Sequence, residues 1–320
     1  MKFGAFVPQG WRMDLVGVPV AEQWPAMLAA ARKIEDLGYD SAWVYDHFHT
    51  IPHPTQEATY ECWTLMAALA ASTTKVRLGQ MCTCNSYRNP AYMAKVASSV
   101  DVISGGRLEF AIGAGWYEHE YLAYGYEYPR DGVRLAQLDE AVQIIKKMWT
   151  EDEPIFEGKH YSVRGAINQP KPLQKPHPPL WIAGGGERKT LRLVAQWGDN
   201  SNFYGSAEGF AEKNLILDRH CTDVGRDPAS VGRTSHVFIT VAETDAALRP
   251  VAERVAAQIG RPVDKYLASG ATAAGTPQQV IDHLAEYRDA RCDYMIGYFG
   301  DVIWGDSLDL FATEVMPALR

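Results

Sequence analysis

Asp46-His47-Phe48-His49 sets a carboxylate beside an imidazole, a pairing suited to acid–base work near neutral pH. The His-x-His spacing also invites a metal, but a catalytic metal needs further histidines or carboxylates on later strands. Cys82-Thr83-Cys84 lacks a second ligand pair and is not a Cys-x-x-Cys motif, so small soft residues lining an apolar shelf are the better reading. Gly113-Ala114-Gly115-Trp116-Tyr117-Glu118-His119-Glu120 gathers glycine, aromatic and titratable residues. In Ala183-Gly184-Gly185-Gly186-Glu187-Arg188-Lys189-Thr190, glycines run into basic residues. Exposed backbone N–H groups and a helix dipole would favour a phosphate there. The spacing is neither a Walker loop nor a dinucleotide fingerprint, so a plain tight turn stays open beside the phosphate reading.

The elements that must position these residues alternate. Strand-like runs cover 3–8, 41–46, 76–81, 108–112, 180–183, 200–204, 235–242 and 294–299. Helical spacing covers 22–37, 61–72, 90–103, 134–149, 187–197, 208–224, 245–260, 277–290 and 306–319, with Gly38 as a stop and Pro90 at a start. Alternation implies parallel pairing, and this many units predicts an α/β (β/α)8 TIM barrel, with a doubly wound open sheet as the rival. Residues 150–178 carry Pro154, Pro170, Pro172, Pro176 and Pro178 and read as an insertion after strand four. With no flexible linker, residues 1–320 read as one domain. In a barrel, the stretches above fall at the C-terminal strand ends, where sites form. Strand five ends in glycines, strand six offers no histidine, and His236 is expected at the start of strand seven, the wrong end. No metal site is therefore expected.

Hydrophobic residues are 47% and charged residues 22% of the 320, which are globular values. The formal net charge of −8 argues against a nucleic-acid or anionic-membrane binder. No apolar run of membrane-spanning length exists. The first residues are too short and mixed for a signal peptide, and the 5 cysteines show no framework spacing, so a cytoplasmic location is expected.

FGAFVPQGW, WVYDHFHT, the stretch from VRLGQMCTCNSYRNPA through DVISGGRLEFAIGAGWYEHE, PLWIAGGGERKTLRLVAQWGD and GTPQQVIDHLAEYRDA resemble the bacterial luciferase-like superfamily. The likeness is to its branch of oxidoreductases that use the deazaflavin coenzyme F420. The resemblance implies a barrel with an insertion and an isoalloxazine-like ring across the strand ends. A bulge in strand three, often with a non-prolyl cis peptide, backs the ring; the matching residues are Met81 and Cys82, followed by Thr83 and Cys84. Ala183, Gly184, Gly185 and Gly186 match the phosphate-binding segment, and Gly115 joins the cofactor residues. Asp46 would bond the ring's pyrimidine edge, and His47 would accept a substrate proton. In the sugar-phosphate dehydrogenases of this branch a glutamate follows the strand-four Gly-x-Gly. Here Trp116 stands there, and His119 replaces a later asparagine, which counts against a sugar-phosphate substrate; Glu118 and His119 become alternative proton donors. Trp43, Trp116 and Tyr204 are expected to shape the substrate side. The implied activity is hydride transfer with a small organic substrate. The alternatives are an FMN-dependent two-component monooxygenase and a non-catalytic flavin-type cofactor carrier. Arg188, Lys189 and Arg192, lying beyond the phosphate segment, would favour the anionic tail of F420 over FMN. A homodimer is the assembly the family implies.

Overall fold

The computed structural model describes residues 1–320. Its main sheet closes on itself as β1 (Lys2–Phe6), β2 (Ser41–Val44), β3 (Arg77–Gln80), β4 (Leu108–Gly113), β5 (Leu180–Ala183), β6 (Asn200–Asn202), β7 (Gly232–Val241) and β8 (Tyr294–Phe299). Every neighbouring pair is parallel, and β8 pairs back onto β1 through Lys2↔Tyr294 and Ala5↔Gly297. This is an eight-stranded α/β barrel ringed by helices, as the alternation requires; the open-sheet rival falls because β8 pairs with β1 and β7 with β6.

Alternation along each strand splits the core into layers. On β4, Phe110 faces outward against Trp63 and Trp149, at ring distances of 5.9 and 5.2 Å. Its neighbours Glu109 and Ala111 face inward. Trp43 and Trp181 fill the interior, edge to face at 5.0 Å. Both are fully buried, and each contributes roughly 4–6 kcal/mol as an upper bound from the area removed from water. Glycine at 79 follows from this packing: a Cβ there would lie 2.3 Å from the Trp43 ring. Glu109 accepts from Trp181 Nε1 at 2.7 Å and pairs with Arg77, so the buried carboxylate is satisfied. The barrel floor is thus closed, and open volume is left at the C-terminal mouth.

Caps set the helix starts. Asn89 accepts from the N–H groups of Ala91 and Tyr92 at the head of Pro90–Ile103, and Glu61 caps Cys62–Ser72. Between the helix Asp131–Thr150 and β5, an antiparallel hairpin pairs Ile155–Glu157 with Ser162–Arg164. Two short helices, Glu118–Ala123 and Val263–Leu267, and a strand Thr272–Gly275 pairing with the end of β7 add to the elements expected from sequence. β7 also begins at Gly232, earlier than its apolar run suggests, and this moves His236 to mid-strand. No helix is long and apolar enough to cross a membrane.

Candidate cofactor and substrate site

The mouth of the barrel holds a cavity of about 410 Å³. Its wall includes Asp46 and His47 after β2, Met81, Cys82 and Cys84 after β3, Gly113 at the end of β4 with Gly115 beyond it, and Ala183 at the end of β5 with Gly184 and Gly185 beyond it. The sequence-expected residues therefore converge, with definite exceptions. Thr83 is buried behind the wall, and Gly186 faces an adjoining shallow depression instead of the cavity.

Glu118 and His119 need correction. Both are exposed and neither lines the cavity; His119 Nδ1 lies 3.1 Å from His49 Nδ1 at the surface. The short helix Glu118–Ala123 turns about 100° per residue, which directs the next residue, Glu120, inward. Glu120 is fully buried and was not singled out from sequence. It accepts from the N–H groups of Phe48 and His49 at 2.7 and 2.8 Å and from Tyr87 Oη at 2.9 Å. It also lies 2.9 Å from His47 Nδ1. Burial alone would raise its carboxyl, but the His47 contact and the two N–H bonds outweigh this and hold it below the usual carboxylate range. The ionised carboxylate therefore takes the Nδ1–H of His47, which leaves Nε2 with no protein partner. Trp11 stacks flat on the imidazole at 4.1 Å, and Trp116 and Tyr117 meet it edgewise at 5.7 and 6.1 Å.

Asp46 has partners that the sequence does not show. Its oxygens accept from Arg88 Nη1 at 2.6 Å and Nη2 at 2.9 Å, and from the Cys84 N–H at 2.8 Å. Arg88 in turn bonds Glu61 at 2.7 Å. Both Asp46 oxygens thus help hold the segment after β3, while Oδ1 accepts a single bond and Asp46 stays on the cavity wall. Arg88 lies inside the SYRNPA stretch, but nothing local marked it as the partner. Trp43 is likewise in the closed floor, away from the cavity, whereas Trp116 and Tyr204 stand at the rim, 58% and 40% exposed. His236, expected at the wrong end, lines the cavity, with Nδ1 2.8 Å from Asn202 Oδ1. Burial first, and nearby Arg12 second, lower it to about 3, so it is neutral.

The wall fits an isoalloxazine-like group with a phosphate. The Met81–Cys82 peptide is cis, and with Cys84 these residues form a small apolar shelf. Burial pushes the Cys82 thiol up and the Cys84 thiol up to about 12, so both stay protonated at neutral pH and serve as surface, not nucleophile. A Cβ on Gly115, whose φ is +79°, would meet Tyr121 Oη at 1.8 Å. At the opposite wall, Gly184 N–H bonds Asn202 O at 2.8 Å, but the N–H groups of Gly185 through Lys189 find no acceptor in the protein. They precede the helix Thr190–Trp197, an arrangement that holds phosphate. Lys213 Nζ fixes this run by bonding Gly185 O and Glu187 at 3.1 Å each. Arg188 and Lys189 line the depression that continues from the cavity past Gly185 and Thr190; Arg192 does not. No His, Cys, Asp and Glu side chains group in a way that could hold a metal ion.

A closed parallel barrel whose mouth joins a glycine cradle to a carboxylate-held histidine is the framework of a cofactor-dependent barrel enzyme. Residues 1–294 match the model of the luciferase-like monooxygenase family, and the chain belongs to that family of oxidoreductases. It is 27% identical over 314 residues to an F420-dependent glucose-6-phosphate dehydrogenase of Nocardia farcinica, covering 89% of this chain and 91% of that one. Another protein of that name, from Amycolatopsis mediterranei, is 33% identical over 159 residues, covering 49% of this chain; there the chain spans 46% of the relative's length. Among solved structures, an F420-dependent secondary alcohol dehydrogenase in complex with an F420–acetone adduct superposes with a TM-score of 0.82. It is 23% identical and covers 100% of this chain and 99% of that one.

Proposed function

We propose that the protein is a cytoplasmic, homodimeric F420-dependent oxidoreductase that exchanges hydride with a small organic substrate, with His47 as the proton partner. The observation that carries this reading is the His47–Glu120 pair, which leaves Nε2 partnerless on the wall of a cavity able to take a ring. The Arg188 and Lys189 side chains, in the depression that continues from the cavity, favour a cofactor whose anionic tail extends past its phosphate, and the relatives' cofactor supports the same choice.

When bound, the deazaflavin supplies two-electron hydride chemistry at a ring carbon. Met81, Cys82 and Cys84 would back the ring, and the free N–H groups from Gly185 onward would hold the phosphate. In the oxidising direction, His47 Nε2 accepts the substrate's hydroxyl proton, and in the reducing direction it returns one. Glu120 fixes the tautomer and stabilises the imidazolium. Trp11 and Trp116 shield the imidazole from water.

Fluorescence titration of the purified protein with oxidised F420 and, separately, with FMN tests the cofactor. Saturable binding of F420 alone upholds the reading. Binding of FMN alone replaces it with an oxygen-consuming monooxygenase. With F420 bound, His47→Ala is expected to lower turnover by about 10²-fold or more while binding stays within about threefold. Intact turnover in that variant would remove the proton role. Sedimentation at micromolar concentration checks the dimer.

A further inference from the structure

Arg12 is a cation inside the cavity with no counterion. It follows β1 in the chain, and β1 lies four strands from β5 in either direction around the closed ring, so Arg12 and the glycine cradle face each other across the mouth. Its guanidinium carbon lies 4.5 Å from the Trp11 ring centre and 4.8 Å from that of Phe238, with Tyr45 and Tyr298 at 5.2 Å each. Nε donates to Tyr45 Oη at 3.2 Å, and neither Nη group donates to any protein atom. The nearest acid, Asp14, forms no ion pair with it: Oδ1 accepts from the N–H of Gln9 at 3.1 Å and from Gly10 N–H, and Oδ2 accepts from Tyr298 Oη at 3.4 Å. Burial, the largest influence, raises its carboxyl, against the Gly10 and Gln9 N–H bonds and the Arg12 charge, which lower it.

Aromatic faces stabilise a cation modestly, but a guanidinium drawn out of water is fully satisfied only by an anion on its free fork. We infer that Arg12 recognises a carboxylate on the substrate, held at the end of the cavity opposite the phosphate cradle. The inference rests on the proposed use of this cavity as a substrate site. A carboxylate suits this end better than a phosphate. One fork matches two carboxylate oxygens, no run of backbone N–H groups supports a third oxygen, and neutral His236 adds no second positive charge. Placement agrees with the chemistry. Trp11 contacts both Arg12 and His47, so a carboxylate on Arg12 would leave the rest of a small molecule beside the proton partner. The rings around Arg12 favour an apolar or aryl body.

The test is calorimetric titration of the full-length, cofactor-free protein with phenylacetate, its neutral isostere phenylacetamide, and phenylphosphonate. Wild type and Gly185→Asp, which blocks the phosphate cradle, are both expected to bind phenylacetate at least about tenfold more tightly than phenylacetamide. In Arg12→Met the two affinities are expected to converge. Arg12→Lys, which keeps the charge and folds more safely, is expected to retain only part of the preference. Equal affinities in wild type, a preference that survives Arg12→Met, absence of saturable binding, or tighter phenylphosphonate binding would each overturn the inference. The F420 titration is separate: if it fails while the carboxylate preference holds, only the cofactor reading falls.

Discussion

The Glu120 carboxylate lies 2.9 Å from Nδ1 of His47 across 73 positions of sequence. Its other bonds, from Tyr87 and from the backbone of Phe48 and His49, lock it in place, so the imidazole is held in one orientation and one tautomer. Glu120→Gln is therefore expected to lower kcat by about 10²-fold with KM within about threefold, and to displace the pH–rate profile. A variant with an unchanged profile would show that Glu120 is only a structural anchor.

Arg88 and Asp46 form a buried pair at 2.6 Å. Arg88→Met leaves the Asp46 carboxylate unbalanced and is expected to cost about 3–5 kcal/mol in urea unfolding. Adding Asp46→Asn removes the stranded charge and is expected to recover part of that loss. A double variant no better than the single one would mean that Arg88 acts mainly through Glu61.

At the glycine cradle, a Cβ on Gly185 would meet only the flexible end of Lys213 at 3.2 Å and the Phe203 Cβ at 3.4 Å. The site tolerates a side chain sterically but not a negative one beside an incoming phosphate. Gly185→Asp is expected to weaken F420 binding at least about tenfold with little change in melting temperature. Gly185→Asn, uncharged and of similar size, should weaken it less.

Glu35, near the end of the helix Val20–Asp36, accepts from the N–H groups of Thr74, Lys75 and Val76. Burial pushes its carboxyl up, but the bonds from Lys75, Val76 and Thr74 outweigh this and bring it down to about 2. A folded-state value below the unfolded one, about 4.3, gives stability that is full above the unfolded value. That stability drains as pH falls through the folded one. The melting temperature of Glu35→Gln should lie below wild type at pH 7, and the gap should narrow below about pH 4 and vanish only below about pH 2. A gap that persists at low pH would assign the effect to lost hydrogen bonds alone.

The amino-acid sequence determined the barrel and the place of its chemistry. Period-2 and period-3.6 patterns are local properties, and parallel strands joined by helices put His47, Cys82, Gly115 and Gly184 at one mouth. Glycine runs and the Asp46-His47 step were legible for the same reason. What the sequence left open were partnerships between residues far apart in the chain. Asp46 reads as an acid on the mouth, and nothing local shows that Arg88 and the Cys84 N–H hold it there. Glu118 and His119 look equivalent to Glu120 until one helical turn sends them to solvent and Glu120 to His47. Arg12 stands two residues after the glycine of the PQGW stretch, and only the closed ring sets it opposite the cradle without a counterion. A side chain's charge is written locally, but its neighbours are fixed by strand register and loop path, and these exist only once the barrel has closed.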